Sequence, residues 1–411
     1  MTGAGLCLQG AVIDGELRSL WLTDRIAAGP LPEATSVDLE GLTVWPGLIN
    51  AHDHLELNHF PRSKFSPFYA NAHQWGQALD RRLNQEPYRT GQMYALADRI
   101  LIGGLKNLLC GALTVVHHNP LYPDLTRPDY PVAVLRRYGW AHSLHFTQDV
   151  VGSYRKVAHD VPWIIHLAEG VDQAAALEYG RLKKMGCVQP NTVLVHGVGL
   201  TADDMLDCAR RVRGLVWCPS SNRFLLGYTA NVALWQDLGG RVALGSDSRL
   251  TADGDLLDEM QAALETGDAS PEQIMAMVTT EPAAMFEMTD AGSLAPGMRA
   301  DFVATRGDQL VGVKRADLAL IVRGGVPQIG DPDIMARFPD VPVVPARLDG
   351  RPKAIYRALA ERILKCPLQE PGLWVEGQPP PRGPGMARRV WHVTGGPRWV
   401  RAVRRWRKEA G

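Results

Sequence analysis

Residues 163–198, WIIHLAEGVDQAAALEYGRLKKMGCVQPNTVLVHGV, decide the fold. WIIHLAE opens as an apolar run and ends in polar groups, and TVLVHGV does the same. Between them DQAAALEYGRLKKMG is rich in helix formers and closes on a glycine. Short, near-continuous apolar runs fit strands of a parallel sheet covered on both faces. The segment between them fits the helix that a parallel crossover needs.

Outward from this unit the same alternation extends from about residue 47 to residue 287. The other apolar runs are LINAH (48–52), ALTVVHH (112–118), AHSLHF (141–146), GLVWCPS (214–220) and VALGSDS (242–248). Helix candidates between them include YALADRILIGGLKNLLCG, PVAVLRRYG, TADDMLDCARRVR and DLLDEMQAALETG. Such units repeated over about 240 residues match the size of a parallel barrel, roughly 250 residues. The expected fold is α/β, a (β/α)8-type TIM barrel. Seven strands are legible. Too few residues separate AHSLHF from WIIHLAE for an ordinary unit, so the fourth strand is expected to be shortened or missing.

Both flanks read differently. Residues 1–46 form short strands with turns, including the hairpin signal Asp14-Gly15. After residue 288 short strands return in GSLAPGMRADFVATRG and ADLALIVRGGVPQIGD. Residues 1–46 and 288–345 are therefore expected to build one small β-sandwich domain from both chain ends, beside a barrel at 47–287. Residues 346–411 form a C-terminal extension, with an amphipathic helix in RPKAIYRALAERILK, a linker in EGQPPPRGPG, and a basic, Trp-bearing end.

Composition narrows the class. Hydrophobic residues at 45% and charged residues at 21% exclude a largely disordered or collagen-like chain. Basic and acidic residues balance at 44 each, so no global attraction to nucleic acid or membrane is expected. No CxxC pair occurs among the six cysteines, which argues for reduced thiols in a cytoplasmic protein rather than a thiolate zinc site or a disulfide framework. No signal peptide is read at the N-terminus, and no run reaches the roughly 18 apolar residues of a membrane span.

In a parallel barrel the active site lies at the C-terminal ends of the strands, so polar groups that end apolar runs are the ones to examine. His52 and His54 stand two apart, on one side of an extended strand. His166 ends WIIH and Asp247 ends VALGSD. Three imidazoles and a carboxylate suit one divalent ion, Zn2+ or Fe2+. Glu169, in HLAE, is placed to shuttle a proton, and His196, ending TVLVH, to orient water or polarise a carbonyl. Taken singly, Glu169 also reads as an acid at a helix N-terminus and His196 as a hydrogen-bonded structural histidine.

These residues resemble the amidohydrolase superfamily. VWPGLINAHDH is similar to its first-strand PGxIxxHxH signature, and HLAEG, VLVHGVGL, CPSSNRFLLG and LGSDS follow in the family's order. The branch resembled holds cytosine, guanine and S-adenosylhomocysteine deaminases and triazine hydrolases. TTEPAAMFEMTDAGSLAPGMRADFV resembles the segment that re-enters the small β domain. The resemblance implies metal ligands His52, His54, His166 and Asp247, with Glu169, His196 and Asp247 as catalytic groups, Asp247 also taking a proton from the nucleophilic water. Two-metal members use a carboxylated lysine from the fourth strand. Lys156 is the only lysine nearby and sits in a polar setting, so one ion, Zn2+ before Fe2+, is expected. Relatives are often oligomers, which implies a homo-oligomer.

The implied activity is hydrolysis of a non-peptide carbon–nitrogen bond in a small molecule (EC 3.5.-.-), foremost deamination of a nitrogen heterocycle by hydroxide held on the ion. Hydrolysis of an amide, a cyclic amide or a carbon–halogen bond is the alternative on the same residues, and a metal-binding protein without catalysis is a third. Substrate contacts are expected from Glu56, Asn58, His117 or His118, His145, Asn222, Arg223 and Arg249, which lie at or beyond strand ends. The Arg-rich tail could dock on nucleic acid or a membrane surface, but Gly395-Gly396-Pro397 breaks any single helix there.

Overall fold

The computed structural model describes residues 5–384. The basic end of the chain, and with it any docking on nucleic acid or a membrane, lies outside the described residues.

Eight parallel strands form the barrel: Leu48–Asp53, Ala112–His117, Ala133–Val134, Gly139–Ala141, Trp163–Leu167, Thr192–His196, Gly214–Trp217 and Val242–Leu244. The first three pair in one run and the last five in another. One seam between the runs is bridged by hydrogen bonds rather than a ladder: Asp247 N donates to His52 O at 3.0 Å and Ser246 N to Asn50 Oδ1 at 2.9 Å. At the other seam, residues 135–138 alone join the third strand to the fourth, with no helix between them.

Here the structure departs from the expected register. PVAVLRRYG is not a helix: it supplies the two-residue third strand and the turn into the fourth. Gly139–Ala141 fills the place beside Trp163–Leu167, three residues long, and Ala141, expected to open a strand, closes it; the four residues after Ala133–Val134 allow no ordinary crossover, so the unit is shortened here. A two-residue strand has no periodicity to detect, and the polar Arg136 and Arg137 beside it imitate one face of a helix. Lys156 caps the short helix Val150–Arg155 and is exposed, away from the barrel mouth.

The remaining helices start where the chain offers caps. Asp172 accepts from Ala175 N ahead of Gln173–Ala176. Thr201 with Asp204, and Asp255 with Asp258, make capping boxes ahead of Ala202–Cys208 and Leu256–Leu264. Leu96–Leu109 is buried along most of its length, and a side chain at Gly103 would meet Leu55 O at 2.2 Å. That glycine lets the helix press against the turn that follows His54.

Both chain ends share one ten-stranded mixed sheet. Leu6–Ile13 and Glu16–Leu22 form the expected hairpin, with Asp14 and Gly15 both left-handed. Thr43–Pro46 pairs antiparallel with Phe302–Thr305, which fastens the N-terminal part to the C-terminal part. The sheet continues past residue 345 through Val343–Leu348, Arg351–Tyr356 and Leu373–Val375. RPKAIY is therefore strand, and only Arg357–Lys365 is helix. No helix among the described residues is long and apolar enough to cross a membrane.

Between the first strand and Leu96–Leu109, residues 55–95 lie across the barrel mouth. Ala72 N donates to Glu169 O, Tyr69 N to Leu225 O and Ser63 N to Leu250 O, each at 2.9 Å. This segment is thereby tied to the loops after the fifth, seventh and eighth strands.

Candidate active site

The strand ends bring His52, His54, His166, His196 and Asp247 into one buried cluster. His52 Nε2 and His166 Nε2 are 3.2 Å apart, and Asp247 Oδ1 lies 3.7 Å from His52 Nε2 and 3.8 Å from His54 Nε2. Ala168, His196 and Asp247 have left-handed backbones, with φ of 53°, 74° and 50°. Non-glycine residues rarely adopt that conformation, and it turns the chain sharply as each strand ends.

Two further histidines complete the cluster. His118 has a ligand atom within the same 4.8 Å group as His52, His54 and His166. Its Nε2 faces Ala141 O at 2.9 Å, and its buried Nδ1 has no hydrogen-bond partner among the described residues. His142, directly after the fourth strand, sits with its ring 4.8 Å from that of His166. His142 does not stand out in the sequence, because AHSLHF reads as the strand itself. With the strand ending at Ala141, His142 is the first polar group beyond it.

Burial, then mutual repulsion, holds His52, His118 and His166 well below the ordinary imidazole value. His142 is pushed down to about 3 by burial and then by His54. Burial alone would raise the Asp247 carboxyl, but His54, His196 and hydrogen bonds from Thr251 and Ser248 hold it low. Neutral imidazoles around an ionised carboxylate are the protonation states a metal ion requires. Two ligand nitrogens on one tetrahedral Zn2+, with bonds of about 2.0–2.1 Å, stand about 3.3 Å apart, close to the His52–His166 spacing. The donor set therefore fits a divalent ion.

Glu169 Oε2 lies 3.6 Å from His196 Nε2. Burial, with the nearby Asp247 and Glu178 charges, holds the Glu169 carboxyl well above the ordinary value. His196 Nδ1 is 2.8 Å from Asn222 Oδ1, an acceptor, so Nδ1 carries the proton and Nε2 turns its lone pair inward. Asn222 thus orients His196, a different task from the substrate contact expected of it. Beside it Ser221 Oγ donates to Asp247 Oδ2 at 2.9 Å, and Thr251 Oγ1 does so at 2.8 Å. Neither hydroxyl is legible as functional in the sequence, although CPSSN holds Ser221.

The other expected substrate contacts are placed elsewhere. The two terminal guanidinium nitrogens of Arg249, Nη1 and Nη2, go to Glu370 in the C-terminal extension, so that group is already engaged. His145 is exposed and stacks on His73 at 4.4 Å, outside the histidine cluster. Glu56 is buried behind His54 and reaches it only through Asn119, whose Nδ2 donates to Glu56 Oε1 and lies 3.2 Å from His54 Nδ1. His117 Nε2 lies 3.8 Å from Glu56 Oε2 in that same buried layer. Asn58 binds Asp53 and the Arg249 backbone, and Arg223 is exposed near Glu265.

Residues 143–350 match the Amidohydrolase family. An 8-oxoguanine deaminase from Pseudomonas aeruginosa is 29% identical over 184 residues, a match covering 40% of either chain. A 5-methylthioadenosine/S-adenosylhomocysteine deaminase from Syntrophobacter fumaroxidans is 25% identical over 354 residues, 71% of this chain and 78% of that one. Among solved structures, a zinc-bound adenosine deaminase from Xanthomonas campestris superposes with a TM-score of 0.63 at 17% identity, over 82% of this chain and 97% of that one. A zinc complex of atrazine chlorohydrolase from Arthrobacter aurescens gives 0.63 at 18% identity, over 82% and 99%. At such identities these two structures establish the TIM-barrel fold and no more.

Proposed function

Since the chain belongs to the Amidohydrolase family, we propose that it is a metal-dependent hydrolase of a non-peptide carbon–nitrogen bond in a small molecule, its reaction being deamination of a nitrogen heterocycle. The observation that carries this reading is the cluster of His52, His54 and His166 nitrogens, with Asp247 Oδ1 3.7 and 3.8 Å from the His52 and His54 Nε2 atoms and the Glu169 and His196 pair 3.6 Å apart beside them. Those four residues would hold one divalent ion, Zn2+ in first place, and His118 offers a further donor. A bound divalent ion supplies a Lewis acid that makes water nucleophilic near neutral pH.

The chain's own groups do the rest. Asp247 Oδ1 faces the His52 and His54 nitrogens and takes a proton from the attacking water. Ser221 and Thr251 occupy its other oxygen and keep the carboxylate from rotating. His196 Nε2 aligns the water. Glu169 holds a proton on its buried carboxyl and passes it to the departing nitrogen, which leaves as ammonia. Residues 55–95, laid over the mouth, keep bulk water from the reacting atoms. All six cysteines are free, which supports a reducing, cytoplasmic setting.

The test is the metal content per chain of purified protein and of His166→Ala, followed by an ammonia-release screen of amino-substituted purines, pyrimidines, pterins and triazines on zinc-loaded protein. About one ion per wild-type chain, lost in the variant, and ammonia from at least one heterocycle are the expected results. A chain that takes up no divalent ion after reloading overturns the reading. Ion binding without ammonia from any of these compounds overturns the deamination step.

A further inference from the structure

Lys106 lies at the heart of a buried network that the mechanism above does not use. It projects from Leu96–Leu109 and is fully buried. A buried ammonium is costly unless it is paired and hydrogen-bonded. This one is: Nζ donates to Asp247 O at 2.7 Å, to Ser246 Oγ at 2.9 Å and to Asp53 Oδ2 at 3.3 Å. An ammonium has three protons, and three acceptors meet it. Asp53 receives further hydrogen bonds from Asn107 Nδ2 at 2.7 Å and Asn58 Nδ2 at 2.9 Å. Asn50 Nδ2 donates to Ser246 Oγ at 2.7 Å.

The position of these acceptors gives the network its meaning. Asp53 stands between His52 and His54, on the opposite side of the strand from both. Asp247 O belongs to the carboxylate ligand candidate itself, whose backbone is left-handed. Lys106 thus grips the first strand end and the eighth strand end together, at the seam where no strand ladder holds them. A methionine of similar length could fill the space but could bind neither end.

We propose that Lys106 is a positioning residue for the metal ligands, its ammonium fixing Asp247 against the His52–His54 turn. The inference rests on reading His52, His54, His166 and Asp247 as ligands. Its consequence is that the ion's affinity and ligand geometry depend on a residue that cannot touch the ion. Loss of an outer partner of this kind typically weakens metal binding about 10–100-fold.

The test uses the full chain as wild type, Lys106→Met and Ser246→Ala, stripped of metal and titrated with Zn2+ against a chromophoric chelator. Co2+ absorption bands are recorded for each, with melting of the metal-free proteins as the measure of folding. The expected result is a Zn2+ Kd raised about 10–100-fold in Lys106→Met, with shifted Co2+ bands and a smaller holo-minus-apo Tm gain. Ser246→Ala, which removes one acceptor and leaves no charge unpaired, should weaken binding several-fold. A folded Lys106→Met with wild-type Kd and bands overturns the proposal. If that variant does not fold, Ser246→Ala decides: unchanged Kd and bands overturn it, and weaker binding with shifted bands supports it. A wild-type chain that binds no ion would sink the ligand reading and this inference together, whereas equal binding in all three proteins would sink this inference alone.

Discussion

Replacing Glu370 by alanine should strip two guanidinium groups of a shared partner. Glu370 is 2% exposed. Its Oε2 accepts from Arg249 Nη1 at 2.8 Å, and its Oε1 accepts from Arg249 Nη2 at 2.5 Å and Arg315 Nη1 at 2.8 Å. Arg315 keeps Asp349, which it holds with two bonds of 2.8 Å, so the heavier loss falls on Arg249. Breaking a buried pair from one side costs about 3–5 kcal/mol, because a buried charge remains uncompensated. An unfolding entropy of about 2.1 cal/mol/K per residue gives this 411-residue chain roughly 0.9 kcal/mol/K. For a single transition the expected fall in Tm is therefore about 3–6 °C, read by calorimetry on the metal-free protein. In Arg249→Met/Glu370→Met both charges are gone and most of the loss should return. A Glu370→Ala protein melting within about 1 °C of wild type would refute the reasoning. So would a double variant no more stable than the single one. Either result would reopen Arg249 as a group free to meet substrate.

Asn222→Ala leaves the buried Nδ1–H of His196 unpaired, an expected cost of about 1–3 kcal/mol, and should lower turnover about 10–100-fold with little change in metal content. Wild-type turnover would remove Asn222 from its orienting role. The Glu259 carboxyl is pushed up to about 8 by burial, which outweighs the opposing hydrogen bonds from Ser220, with the nearby Asp247 charge adding to the rise. The unfolded chain releases this proton near the ordinary carboxylate value, so the group's contribution is full below that value, declines as pH rises to about 8, and is flat beyond. Glu259→Gln should remove this decline, on the order of 3 kcal/mol, from urea midpoints measured between about pH 5 and 8. An unchanged slope would count against it. Gly103→Ala drives a methyl group toward Leu55 O and should cost about 1–3 kcal/mol together with metal retention, measured by melting and metal analysis. A stable, metal-replete Gly103→Ala would show that the helix has room to retreat.

The residues expected at the centre were legible for a local reason. A strand buried on both faces reads as an apolar run, and a barrel puts chemistry where such runs end. His52, His54, His166, Glu169, His196 and Asp247 all obey that rule, and the structure gathers them. The rule weakens as strands shorten. Ala133–Val134 lies inside a helix-like stretch, and Ala141, which reads as the start of a strand, ends one, so His142 and not His145 stands directly after the strand.

By itself the sequence determined the barrel, the chain-end sheet and which strand ends carry imidazoles and carboxylates, because periodicity and strand termination are properties of a few neighbouring residues. Only the tertiary structure decided what each side chain meets. Arg249 is claimed by a glutamate 121 positions away, Asn222 by His196, and Asp53 by a lysine on Leu96–Leu109. Those pairings follow from closing the barrel and wrapping the C-terminal extension onto it. Closure brings together groups whose separation along the chain carries no periodic signal, and burial then compels each polar atom to find a partner.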